Sequence, residues 1–173
     1  MPTPTLFLKL VIKGKMVPGS SDVEGFKGLI ALESMNWGMT AEHKQVTASD
    51  KRTEHKPKEL RLTKVFDKSS TAIYANMKAR EEFDTATITM VDAMLTDGRP
   101  KVMMTMDVES GFIESVDARA ADAGNSMRLS ESIVLSFKNG KVSYSPFNSK
   151  TNTRGSPMIY TLPRDVGGKD DDG

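Results

Sequence analysis

Apolar residues recur with period two in run after run of this chain, and that spacing limits the fold more than any other feature. In residues 5–13, Leu6, Leu8, Leu10 and Ile12 fall on one side, and Phe7, Lys9 and Val11 on the other. Side chains of a strand point alternately to opposite faces, so the spacing predicts a strand with one face on a core. Residues 14–28 carry Pro18, Gly19, Ser20, Ser21, Gly25 and Gly28, which is loop chemistry. Residues 29–40 predict a second strand with Ile30, Leu32 and Ser34 on one face and a bend near Gly38; residues 59–66 alternate through Leu60, Leu62 and Val65. Val102, Met104, Met106 and Val108 share a face, as do Ile133, Leu135 and Phe137, and Met158–Leu162 predicts a short last strand.

Two dipeptides read as hairpin turns. Asp97-Gly98 lies between Thr85–Leu95 and Lys101–Glu109, and Asn139-Gly140 between Ser130–Lys138 and Lys141–Pro146. Both suit a type I′ turn, whose central residues need positive φ. Residues 118–128, rich in small side chains, read as a connection with one helical turn. One segment has helical spacing: after Asp67 or Ser69 as a cap comes TAIYANMKAREEF, with Ile73 and Met77 one turn apart. Seven or eight short strands and one helix predict a mainly β fold. The economical form is a small closed or nearly closed β-barrel or sandwich, which limits free edges. The expectation is one domain over 1–162, with 163–173 (PRDVGGKDDDG) a disordered tail.

Composition narrows the function classes. The chain has 173 residues, 38% hydrophobic and 27% charged, with a net charge of +1, which argues against disorder throughout and gives a nucleic acid no overall electrostatic hold. There is no cysteine, hence no disulfide, thiolate nucleophile or cysteine-ligated metal. No apolar run reaches the 18 residues a spanning helix needs, and the alternating N-terminus reads as a strand rather than a signal peptide, so no membrane insertion and synthesis in the cytoplasm are expected. The phosphate-cradling, nucleophile-elbow and zinc-protease motifs do not occur, so neither an enzyme nor a cofactor is expected. Glu81 and Glu82 adjoin at a helix end and point apart, which is wrong for an acid–base pair. The 12 methionines, Met103, Met104 and Met106 among them, read mainly as gap-fillers in a core. Trp37 suits a core and an interface equally.

Residues 43–58 (HKQVTASDKRTEHKPK) have no periodicity and almost no large apolar residue, and predict a long polar loop. Both histidines, His43 and His55, fall here. A metal site would pair them with Glu42, Asp50 or Glu54, but the spacing fits no ligand pattern, and two solvated imidazoles are expected. Charge is segregated: residues 43–64 hold seven basic and three acidic residues, a net of +4, and residues 81–122 hold three basic and ten acidic, a net of −7. Two unlike faces suit head-to-tail association.

The order of these segments resembles a known family. An LFLKL strand leads through a Gly/Ser turn to GLIALESMNWGM; a polar loop ends in KELRLTKVFDKSSTAIYANM; ESIVLSFKNGKVSYSPFN follows near the C-terminus. The Leu-x-x-Thr-Lys-x-x-Asp-x-x-Ser passage (Leu60, Thr63, Lys64, Asp67, Ser70) is the tightest local match. Over residues 5–147 the chain resembles the haemolysin-coregulated protein (Hcp) family, the tube component of bacterial type VI secretion systems. The resemblance implies a small barrel of which six copies form a ring, with rings stacked into a tube. It further implies a contractile sheath, a spike protein and small effector cargo in the lumen as partners, and secretion without a signal peptide to the extracellular space or a target cell. The long loop would join ring to ring, which nominates His43, Lys44, Asp50, Lys51, Arg52, Glu54, His55, Lys56 and Lys58. A phage tail-tube subunit and a monomeric β-barrel binding module are the alternatives. Against the latter, aromatics are only 6% of the chain and the basic segment 43–64 has none.

Overall fold

In the computed structural model, the described residues are 5–47, 50–57, 59–92 and 101–162; side chains of 42, 44–47 and 50–57 lie outside the description. Among them, thirteen strands and one helix follow in the order β1 (Leu6–Ile12), β2 (Lys15–Met16), β3 (Ile30–Ala31), β4 (Ser34–Asn36), β5 (Met39–Thr47), β6 (Asp50–Pro57), β7 (Leu60–Val65), α1 (Ser70–Lys78), β8 (Phe83–Val91), β9 (Val102–Asp122), β10 (Met127–Tyr144), β11 (Phe147–Asn148), β12 (Thr153–Arg154) and β13 (Met158–Leu162). The main sheet runs β2-β1-β8-β9-β10-β7-β4, with β3 also on β1 and β13 also on β10. All its pairs are antiparallel.

The predicted strand over 29–40 is three strands, because this segment serves both ends of the sheet. Its first part pairs with β1, and Leu32 N–H donates to Leu6 O at 2.9 Å. One residue later Glu33 N–H donates to Thr63 O at 2.7 Å, and β4 continues along β7. The segment thus draws the two ends of the sheet together into a nearly closed barrel. Leu8, Leu10, Ile30, Leu60, Leu62, Phe83, Ile88, Met106, Val108, Ile133 and Leu135 fill it. Met104 is half-buried at its margin, and Trp37 packs half-buried against the core. Phe7, on the outer face of β1, is buried as well, because Phe26 of the following loop stacks on it at 4.6 Å.

Several turns fall elsewhere than the sequence predicts. Asn139-Gly140 is no turn: β10 runs straight through it, with Asn139 opposite Glu109 and Gly140 opposite Val108. Glycine is needed there for room, since a Cβ would lie 2.6 Å from the Leu162 side chain. The hairpin turn is instead within 118–128, where Ala123 N–H donates to Ser126 O at 2.8 Å and strand flanks it on both sides. Nor does β9 stop at Glu109. It kinks at Ser110, whose φ is 55°, and at Gly111, where a Cβ would sit 1.8 Å from the Ser136 carbonyl oxygen. A register shift opposite Val134/Leu135 follows, and the strand continues to Asp122. The arms predicted around Asp97-Gly98 do pair, with Thr85 opposite Glu109, while that dipeptide lies outside the described residues, as does the predicted tail 163–173.

The long polar loop is a second correction. Met39–Thr47 and Asp50–Pro57 form an antiparallel ribbon, β5 on β6, that is a sheet of its own. A period-two apolar signal arises only where one strand face is buried in a core, and these strands have almost no large apolar residues to bury.

Candidate assembly surfaces

Of the nominated residues, His43 and Lys44 lie on β5, and Asp50, Lys51, Arg52, Glu54, His55 and Lys56 on β6; Lys58 lies outside the described residues. The ribbon brings them onto one arm. Its register sets like charges opposite each other twice, Glu42 with Glu54 and Lys44 with Arg52. Such pairs weaken a ribbon, and a lone two-stranded hairpin is marginal in water to begin with. His43 is exposed.

Lys64, counted above with the basic segment, belongs to the interior. Period two on β7 turns residues 60, 62 and 64 inward, so Lys64 is 0% exposed while Val65 is 44% exposed. Its ammonium donates to Val65 O at 3.0 Å, Ser70 Oγ at 3.0 Å and Glu131 Oε2 at 3.2 Å, and lies 3.0 Å from Asp67 Oδ1. Glu131, on β10, is 1% exposed, and its Oε1 has no hydrogen-bond partner among the described residues. The cluster pins the start of α1 to two strands. Ser69 N–H donates to Asp67 Oδ1 at 2.9 Å, and Asp67 N–H to Ser70 Oγ at 3.0 Å, so Asp67 organises the helix start while Ser69 makes no side-chain cap. Burial pushes the Asp67 carboxyl up, but hydrogen bonds from Ser69 and Lys64 and the Lys64 charge outweigh it, and its pKa is lowered. Burial, then the Glu131 and Asp117 charges, raise the Tyr74 hydroxyl. Lys64, Asp67 and Ser70 of the passage singled out in the sequence therefore sit at one helix-anchoring joint. Thr63, on the outer side, shares a 2.5 Å hydrogen bond with Ser34 of β4.

A second ionic joint holds the C-terminal excursion. Arg154 donates to both Asp92 carboxylate oxygens, at 2.9 and 2.6 Å, and to Ser145 O at 2.8 Å, with Phe147 stacked 5.4 Å away. The hydrogen bond from Arg154 is the main cause of a lowered Asp92 pKa.

A groove of about 300 Å³ runs between the end of α1 and β9, lined by Asn76, Met77, Arg80, Glu81, Phe112, Ile113 and Glu114. Its carboxylates are engaged elsewhere: Glu81 pairs with Lys13 at 2.7 Å, and Glu114 accepts from Ser136 at 2.5 Å. Glu82 turns away to Lys138 at 3.5 Å, as the helix-end geometry predicts. Among the described residues no group of acidic or histidine side chains could hold a metal ion, and no helix is long and apolar enough to cross a membrane.

The barrel surface carries two apolar patches that sequence reasoning missed. At the tip of β9–β10, Met127 is 67% exposed, and Leu129 and Phe66 lie beside it. At the far end, Met158, Ile159 and Tyr160 of β13 are all exposed. The alternation along β10 was visible in the sequence, but where the barrel ends along that strand was not.

Among curated proteins none matches the chain in sequence. A family model described as type VI secretion system effector, Hcp, matches residues 7–144. Solved structures share the fold. A variant of Hcp1 from E. coli EAEC 042 has 15% identity and a TM-score of 0.74, covering 94% of this chain and 99% of that one. Hcp1 from Salmonella typhimurium has 17% identity and a TM-score of 0.68, covering 91% and 93%. A chain of the anti-feeding prophage baseplate has 8% identity and a TM-score of 0.53, covering 80% and 92%. With the family model spanning most of its length, this chain belongs to the Hcp family and is a structural component of the type VI secretion tube.

Proposed function

We propose that six copies of this chain close into a ring, that rings stack into a tube, and that the β5–β6 ribbon carries the ring-to-ring contact. The observation behind the last step is the ribbon itself, a separate two-stranded sheet with like charges opposite each other. A hairpin of that kind gains most by docking on another surface. The net acidic stretch 81–122 of a neighbouring copy is a fitting counterpart. Six is the number favoured because the prophage baseplate whose chain shares this fold is six-fold symmetric.

In this reading residues 1–162 act as one unit and the role is mechanical rather than catalytic. The tube assembles in the cytoplasm inside a contractile sheath behind a spike protein. It leaves the cell with small effectors in its lumen. The prophage likeness also supports a phage-like tail tube as the second reading, and neighbouring sheath and spike genes would separate the two.

The test replaces residues 43–58 with a short Gly/Ser linker and compares native electron micrographs with wild type at low and high salt. Rings should persist and stacks should vanish. Wild-type stacks should also weaken with salt, because the Debye length falls from about 10 Å at 0.1 M to about 3 Å at 1 M. Tubes that persist without the ribbon would remove it from stacking; broken rings would place it within the ring.

A further inference from the structure

The β9–β10 ribbon outruns the barrel at its turn end, and β13 lines β10 at the other end. On β10 the inward face of Leu135, Ile133 and Glu131 continues as Leu129 and Met127, which nothing among the described residues covers: Met127 is 67% exposed and Leu129 41%. Phe66, whose N–H donates to Leu129 O at 3.0 Å, extends the same bare face. At the other end β13 lies on residues 140–144 of β10, and Met158 and Ile159 are 67% and 62% exposed. Apolar side chains gathered and bared in this way mark a contact surface.

The two ends carry opposite charge. Residues 107–122, leading to the first, hold five acidic residues and one basic one, with Asp117 and Asp122 exposed beside the tip. Residues 138–162, around the second, hold four basic residues and no acidic one, with Lys141 and Lys150 exposed. β10 spans 18 residues, about 55 Å at strand rise, so the two ends of one molecule cannot meet each other.

We propose that these ends are the two halves of one head-to-tail contact between copies of this chain, the β9–β10 tip of each seating on the β13 face of the next. This rests on the ring reading above and names the surfaces that close the ring. A contact between unlike faces repeats without a two-fold axis, and closes into a ring where the rotation allows. Apolar side chains supply the attraction and the opposite charges select the partner end.

The experiment uses two full-length variants, Leu129→Asp and Ile159→Asp, each blocking one half. Sedimentation velocity at tens of micromolar should find wild type assembled and each variant alone a folded monomer, its association weakened at least tenfold. An equimolar mixture should give a dimer and nothing larger, because each variant keeps the half the other lacks. If either aspartate variant unfolds by circular dichroism, Leu129→Ser and Ile159→Ser take its place in the same mixture. Rings that survive both substitutions would overturn this assignment, leave the ring reading standing and assign the patches to some other partner. Two monomeric variants that fail to pair would overturn the head-to-tail geometry. A monomeric wild type would overturn the ring reading and this assignment together.

Discussion

The chain builds two long antiparallel ribbons, and they are held in different ways. β9–β10 pairs through seventeen residues of β10, bends at a bulge and a left-handed serine, and turns one face to the barrel core from Glu131 to Gly140. β5–β6 pairs just as regularly, yet forms a separate sheet with like charges opposite each other. Backbone hydrogen bonds are common to both. What differs is the buried face, so stability should reside in the packed ribbon and its joints, and the polar ribbon should be dispensable to the fold of a single subunit.

The sharpest way to break that contrast is at the buried joint. Lys64→Ala leaves the buried Glu131 carboxyl without its ion-pair partner, and should cost about 3–5 kcal/mol. Chemical denaturation would measure this, and Lys64→Met combined with Glu131→Leu should recover most of it, because two apolar groups need no partners. Next is Gly140→Val. Its branched side chain must displace Leu162, at a cost of about 1–3 kcal/mol, read as a lowered Tm. The outcome is the one a turn glycine would give, but the cause is overpacking. Compensation by Leu162→Ala would tell the two causes apart, since a smaller residue at 162 cannot relieve a strained turn.

Asp92→Asn should have a smaller effect that depends on pH. The folded-state pKa of Asp92 lies below its ordinary 3.8, so the charged form binds Arg154 and stabilises the fold above that pH. The stability gap between wild type and variant should therefore be full near neutrality and close as pH falls through the lowered pKa. A gap that stays constant down to pH 2 would remove the ionic joint as its cause. The smallest change is expected from the polar ribbon. Replacing 43–58 with a Gly/Ser linker should move subunit stability by no more than about 0.5 kcal/mol, as for surface changes away from packed features. A loss of several kcal/mol would mean that the ribbon supports the barrel after all.

Legibility in the sequence followed burial. Leu6, Leu8, Leu10, Leu60, Leu62, Ile133 and Leu135 could be assigned to a core from alternation alone, and all are buried. The same alternation pointed to residue 64, but hydrophobicity selected Val65; a buried lysine is recognisable only once Glu131, distant in sequence, is seen to meet it. Asn139-Gly140 carried the strongest local turn signal and was overruled, because pairing with β9 on one side and β13 on the other gains more than a tight turn could. The polar ribbon left no periodic trace, since its sequence has almost no large apolar residue to alternate.

Alternation and one helical segment determined by themselves a mainly β chain with one helix and many of its inner residues, such as Leu8, Leu10, Leu60, Leu62, Ile133 and Leu135. Such signals are local: each side chain records whether its own strand face meets water. Which strand end outruns the barrel, which lysine is paired inside, and which glycine is a turn or a point of close approach depend on residues far apart in the chain. Only the tertiary structure brings Leu162 to Gly140 and Glu131 to Lys64, and leaves Met127 bare at one end of β10 and Ile159 bare on β13 beside the other.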